Sequence, residues 1–229
     1  MSNFNGFSKD LLKFLRQLQK NNNREWFQAN KSRYETDVLA PALEFIESMQ
    51  SPFKKISPYF RVIPKRMGGS LMRVYRDTRF SKDKTPYKTN VGIHFRHEAG
   101  KDVHAPGFYF HIDPKEVFLG AGVWHPDNTS LRKIRNWIVE ESASWKRITR
   151  NKKLNSTFTR EGDSLKRPPR DFDPDHPLIE DLKKKDHVLV TTLTHSELQD
   201  KDIVKNVASL FKQTKPYVRF LCDALKLPC

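Results

Sequence analysis

Between Arg73 and Lys88 the chain reads Arg-Val-Tyr-Arg-Asp-Thr-Arg-Phe-Ser-Lys-Asp-Lys-Thr-Pro-Tyr-Lys. A guanidinium presents its N–H donors as a rigid fork that matches a phosphate or a carboxylate edge-on. A carboxylate set among several guanidinia, as Asp77 is, fixes their directions by accepting paired N–H donors. Arg73, Arg76, Arg79, Lys84 and Tyr87 are therefore the candidate ligand-binding residues: three forks, one point charge and one hydroxyl. The same spacing also fits a charged hairpin whose Arg and Asp side chains tie a loop to itself.

Proton transfer needs a group that titrates near neutrality or is tuned by its surroundings. His111, His94, Asp77 and Tyr87 are the candidates. Strand alternation puts His94 and Arg96 on one face, and Tyr109 with His111 opposite Phe108, Phe110 and Ile112. A cross-strand His94–His111 pair beside the arginines would supply a general base or two metal ligands. His104 and His125 lie close by in sequence. No H-E-x-x-H or H-x-H pattern supplies further ligands, so neither a metal nor a cofactor is expected. Asp77, Asp83 and Lys84 resemble the acid–acid–lysine sets of metal-dependent nucleases but lack their strand spacing. Gly120-Ala121-Gly122 lacks the third glycine of a dinucleotide fingerprint and reads as a turn or bulge.

Charge points to the class of partner. The 229 residues carry a formal charge of +15, unevenly spread. Residues 51–88 hold eleven Lys/Arg against two acids, and residues 129–170 hold twelve against four, with a near-neutral zone between them. Two basic zones fit an anionic small molecule or nucleic acid. A second candidate surface for nucleic acid combines Arg147, Arg150, Lys152, Lys153 and Arg160 with Trp145 and Phe158. Sixteen Phe, four Trp and six Tyr supply a core and exclude a disordered polyelectrolyte. The two cysteines, Cys222 and Cys229, close no useful loop and are expected to be reduced. No apolar run suits a signal peptide or a membrane span, which predicts a cytoplasmic protein. The sequence does not fix an oligomeric state.

The elements that must position these residues follow from periodicity. Ser8 opens a helix with Leu11, Leu12, Phe14, Leu15 and Leu18 on one face, and Asn21–Asn23 ends it. Asn22 with Glu25 reads as a capping box for a second helix carrying Trp26, Phe27, Tyr34 and Val38. Pro41 is expected to kink or restart it before Phe45, Ile46 and Met49. Strands are predicted at Tyr59–Ile63, Leu71–Arg76, Asn90–Arg96, Gly107–Ile112 and Glu116–Val123. Asp127 or Thr129 caps one long helix running through Leu131, Ile134, Trp137, Ile138, Trp145 and Ile148. Residues 154–177 read as an extended loop, followed by a short helix from Pro177, a strand at His187–Leu193 and C-terminal helices around Val207 and Leu221. The class is α+β in a single domain, residues 1–229. A mainly antiparallel sheet at about residues 59–123 is packed by N- and C-terminal helices.

The pattern Arg-x-x-Arg-Asp-x-Arg-Phe-x-x-x-Lys-x-Pro-Tyr at 73–87 resembles the signature of a bacterial family, domain of unknown function 2461. The resemblance takes in Asn22-Asn23-Arg24-Glu25-Trp26-Phe27, Tyr109-Phe110-His111, Gly120-Ala121-Gly122, Pro169 and Asp175-His176-Pro177. It departs at Asp171, where the family pattern has glycine. It implies no activity. Two functional expectations stand: binding of a phosphate- or carboxylate-bearing ligand, nucleic acid included, at Arg73–Lys88, or an enzyme acting on an anionic substrate through a His, Asp or Tyr. The third account is a structural ion-pair network.

Overall fold

The structure, a computed structural model, describes residues 4–100 and 105–229, so His104 lies outside the described residues. Helix α1 (Lys9–Lys20) buries Leu11, Leu12, Phe14, Leu15 and Leu18 on one side, as the 3.6-residue period requires. Ser8 stands at its N-cap without a side-chain capping bond. Helix α2 (Arg24–Ala29) is capped one residue later than expected: Asn23 Oδ1 accepts from Trp26 N at 2.8 Å. Asn22 is engaged elsewhere, with Tyr87. After α3 (Lys31–Arg33), a π-helical turn at Tyr34–Leu39 leads straight into α4 (Ala40–Ile56). Pro41 follows directly on the π-helical turn, where Ala40 N donates to Glu35 O five residues back and the widened turn accommodates a residue without an N–H.

Strands β1 (Val91–Arg96), β2 (Gly107–Ile112), β3 (Val117–Val123), β4 (Thr159–Glu161) and β5 (His187–Leu193) form one antiparallel sheet in the order β1-β2-β3-β5-β4. The sheet thus extends past residue 123, and part of the expected 154–177 loop becomes its far edge. Two expected strands are absent. Residues 59–63 and 71–76 are extended but meet the sheet only at single bridges, Phe60↔His97 and Leu71↔Ile93. Pro64 lacks a backbone donor, and the Gly68-Gly69 turn lifts the chain off between those points. A hydroxyl closes this loop: Ile63 N donates to Ser70 Oγ at 2.9 Å and Ser70 Oγ to Arg61 O at 3.1 Å. Gly120-Ala121-Gly122, expected as a turn or bulge, lies inside β3, with Gly122 opposite Gly107.

The expected long helix breaks at Glu141 into α5 (Asn128–Glu140), capped by Asp127, and α6 (Ser142–Thr149). Adjacent Glu140 and Glu141 oppose the negative end of the α5 dipole, which favours termination there. Helices α7 (Lys152–Asn155), α8 (Ile179–Leu182), α9 (His195–Leu198), α10 (Ile203–Gln213) and α11 (Lys215–Ala224) complete the chain. None of the described helices is long and apolar enough to cross a membrane.

Both buried clusters lie on the same side of the sheet. One joins α1, α4 and α10 to Ile93, Phe95, Phe108, Phe110 and Leu119. The other joins α5, α6 and α11 to Val123 and Leu189. By alternation, His94, Tyr109, His111 and Phe118 occupy the opposite face, where they are only half-buried. Within the second cluster Trp145 packs on His187, Tyr217 and Phe220, and His187 Nε2 is buried without a hydrogen-bond partner.

Burial, reinforced by Arg135 and Arg160, pushes His187 down to about 3 from its ordinary 6.5. A depressed histidine leaves the unfolded chain binding the proton first, so its contribution is intact above pH 6.5 and drains away as pH falls toward 3. His187→Leu, which removes the orphaned nitrogen, should leave the melting temperature at pH 7 unchanged or higher. It should also flatten the decline of melting temperature between pH 6.5 and 4 relative to wild type.

Candidate anion-binding cleft

The Arg73–Lys88 segment is a hairpin. Tyr75 bridges Tyr87, Arg76 N donates to Pro86 O at 2.9 Å, and Lys88 N donates to Val74 O at 2.7 Å. Its loop is closed by its own charges. Arg79 donates to both carboxylate oxygens of Asp77 at 3.0 and 2.7 Å. Arg76 is bound to Asp83 and to Thr85 Oγ1. Lys84 Nζ donates to Thr78 O at 2.9 Å, and Thr85 N to Asp83 Oδ1 at 2.9 Å. The Arg79 hydrogen bonds hold Asp77 below the usual carboxylate range, and Arg76 with Thr85 holds Asp83 down to about 2. Both aspartates are thus ionised partners of loop cations. Four of the five charged candidates in this stretch (Arg76, Asp77, Arg79 and Lys84, but not Arg73) are bonded within the hairpin.

Tyr87 belongs to the core at 2% exposure. Its ring stacks on Phe27 with centroids 4.0 Å apart and planes 15° from parallel. Asn22 grips its backbone from the other side: Asn22 Nδ2 donates to Tyr87 O at 2.9 Å, and Tyr87 N donates to Asn22 Oδ1 at 3.1 Å. Burial raises the phenol above its ordinary value, so it stays protonated.

Three cations of the segment, Arg73, Lys82 and Lys88, are not bound within the hairpin, and two of them meet at one cleft. Arg73 and Lys88 form no ion pair and no side-chain hydrogen bond among the described residues. They border a cleft of about 580 Å³ whose walls also carry Arg61, Arg66, His94 and Arg96, with Glu98 the one carboxylate. Arg66 reaches Glu35 at 3.4 Å, whereas Arg61 has no such partner among the described residues. Burial and the neighbouring Arg73 charge lower the Lys88 ammonium from its ordinary value. The sequence reading missed Arg61, Arg66 and Lys88 as members of this set, and Arg96 entered it only as a neighbour of His94. Arg61 and Arg96 meet because Arg61 N donates to Arg96 O at 2.8 Å across the outer edge of β1, a long-range pairing with no local signal.

The histidines are arranged differently from the expected pair. In register, His94 faces Tyr109 and His111 faces Gly92. The row runs His94, Tyr109, His111, with centroid separations of 6.1 and 5.9 Å. Phe118 stacks on His111 at 4.6 Å. Glycine makes room for the row. A Cβ at Gly107 would collide with His94 Nε2, and one at Gly92 would lie 2.8 Å from the Tyr109 hydroxyl. Arg96 Nε donates to His94 Nδ1 at 3.1 Å. Burial and the Arg96 charge hold His94 down to about 4, so it is neutral with its hydrogen on Nε2. His111 Nδ1 lies 3.0 Å from the Tyr109 hydroxyl and 3.4 Å from Asn90 Nδ2, and burial lowers its pKa too. Both Nδ1 atoms are thus engaged in hydrogen bonds.

His97 serves the fold: its Nε2 lies 2.8 Å from Pro228 O. His125 follows β3, with its backbone N–H 2.7 Å from the buried Asp186 carboxylate. Among the described residues, no three His, Cys, Asp or Glu side chains converge on a point where a metal ion could sit. The second predicted nucleic-acid surface loses its aromatics, because Trp145 and Phe158 are buried, and Arg160 is paired with Asp181.

Residues 10–220 match the model of a conserved hypothetical protein family, domain of unknown function 2461. The chain belongs to that family. Comparison with curated protein sequences and with solved structures returns no match. In this DUF2461 chain the two segments richest in the family pattern meet in space, since Asn22 and Phe27 of the first hold Tyr87 of the second.

Asn22→Ala removes both bonds to the Tyr87 backbone and should lower unfolding stability by about 1–3 kcal/mol in urea titration. Arg79→Ala, whose pair with Asp77 is solvent-exposed, should leave the urea midpoint unchanged.

Proposed function

We propose that this protein binds a phosphate- or carboxylate-bearing ligand in the cleft between Arg73, Lys88 and the outer edge of β1. One observation carries the reading. Four cations, Arg61, Arg73, Lys88 and Arg96, line or border one cleft without a carboxylate partner among the described residues, while the other arginines of the same motif are paired. Like charges held together and partly withdrawn from water repel, as the lowered Lys88 indicates. An anion entering the cleft relieves that repulsion and gains charge-assisted hydrogen bonds.

The reading is of binding rather than proton transfer. A general base needs a free lone pair within reach of the proton it takes. His94 and His111 have Nδ1 engaged, Asp77 is committed to Arg79, and Tyr87 is packed under Phe27. What His94 offers the cleft is an Nε2–H donor, which suits an anion.

A ligand bound only by the native state raises the melting temperature by mass action. Pyrophosphate should do so with the wild-type protein. Arg73→Ala and Lys88→Ala should each weaken the response about tenfold or more, in line with loss of a hydrogen bond to a charged group. Arg79→Ala should respond as wild type. Wild-type behaviour in Arg73→Ala and Lys88→Ala, or absence of any pyrophosphate response, would place function elsewhere.

A further inference from the structure

We infer that the ligand is single-stranded nucleic acid laid along the outer edge of β1, with its phosphates on the free cations and its bases against exposed aromatic side chains. The inference rests on the anion-binding reading above and commits it to one ligand class. The first argument is that the residues carrying the cations are strung along the length of β1. Lys88 and Arg73 lie near the start of β1, whereas Arg61 and Arg96 lie at its end. Six strand residues span about 16 Å at ~3.3 Å each. A site of that length suits successive phosphates of a strand better than a single phosphate. The series also continues: Lys88 borders a second cleft of about 560 Å³ on its other side, which Lys115 and Asn90 help to line.

The second argument comes from apolar side chains left in water: Met67 on the wall of the cleft, and Tyr75 and Phe80 on the hairpin whose ends carry Arg73 and Lys88. Phe80 is 94% exposed, Met67 82% and Tyr75 53%. They rise from the two loops that carry the cations, and the Arg79 guanidinium lies 5.7 Å from the centre of the Phe80 ring. A large aromatic ring kept out of an otherwise well-filled core, on a basic loop, is what unpaired bases stack on. A duplex hides its base faces, and among the described residues no helix stands free here to enter a groove. A small phosphate or an acidic peptide would use the cations but gain little from Phe80.

The test is fluorescence anisotropy with a labelled single strand of about a dozen nucleotides, run beside the duplex of the same sequence and the pyrophosphate thermal shift. The single strand is expected to bind more tightly than the duplex. Its affinity should fall with salt with a log–log slope of about −3, for four phosphates neutralised. Phe80→Ala, a change at a fully solvated ring, should weaken single-strand binding roughly tenfold and leave the pyrophosphate response intact. Arg73→Ala should weaken both and make the slope shallower by about 0.7. Pyrophosphate binding without oligonucleotide binding, equal affinity for duplex and single strand, or an indifferent Phe80→Ala would each overturn the nucleic-acid inference while leaving the anion site standing. Failure of both ligands would overturn both.

Discussion

The grip on Tyr87 is the contact on which the candidate site depends. Hairpin 74–88 makes no ladder with the five-stranded sheet, so nothing in its own backbone bonding fixes it to the body of the protein. Phe27 stacking on the ring and Asn22 bonding to both backbone polar groups supply that attachment. The ring brings burial of apolar area, and the amide gives direction. Together they set where the hairpin leaves the core, and hence where Arg73 and Lys88 stand relative to β1. This also explains why Asn23 and not Asn22 caps α2: one carboxamide cannot close the helix and reproduce a strand partner at once.

The outer edge of β1 is the second constraint. An edge strand exposes a row of backbone donors and acceptors that invites another chain. Here residues 59–61 and 70–72 cover it in short touches: Arg61 N to Arg96 O at 2.8 Å, Glu98 N to Tyr59 O at 2.8 Å, Met72 N to Gly92 O at 2.9 Å and His94 N to Ser70 O at 2.8 Å. Because the cover is interrupted, the loop between the touches stands away from the sheet and leaves a cleft under it. Edge protection and cleft formation are one structural feature, and the cations on the covering segments come with it.

What the sequence revealed and what it hid divide along the range of the interactions. Gly107–Ile112 and His187–Leu193 are legible because a buried strand imposes a period of two on its own residues, and α1 because its leucines recur at helical spacing. The extended stretches at 59–63 and 71–76 carry the same local pattern. Whether such a stretch becomes a ladder or a set of single bridges depends on how long it can stay alongside its partner, and here Pro64 and the Gly68-Gly69 turn lift it away between two touches on β1. The break at Glu141 escaped notice because Trp137 and Trp145 keep helical spacing through it. Pairing of His94 with His111 was a register question. The observed register sets Gly92 diagonal to Tyr109 and Gly107 diagonal to His94, where a side chain at either glycine would collide with that ring.

The arginine motif, dense as it is, does two jobs that composition cannot separate. Arg76 and Arg79 lie in contact with aspartates that are close in sequence, and such local pairs close a loop at little entropic expense. Arg73 lies on the strand-like arm before the loop, where the nearest carboxylates are already taken, and Lys88 lies on the returning arm beside it. Neutralising those two with acids would have been a simple route to a more stable hairpin, and the chain does not take it. Unpaired cations held close together lower stability unless something else neutralises them. The difference between the two halves of the motif is therefore the physical basis of the proposal that the paired half serves the fold and the unpaired cations a ligand.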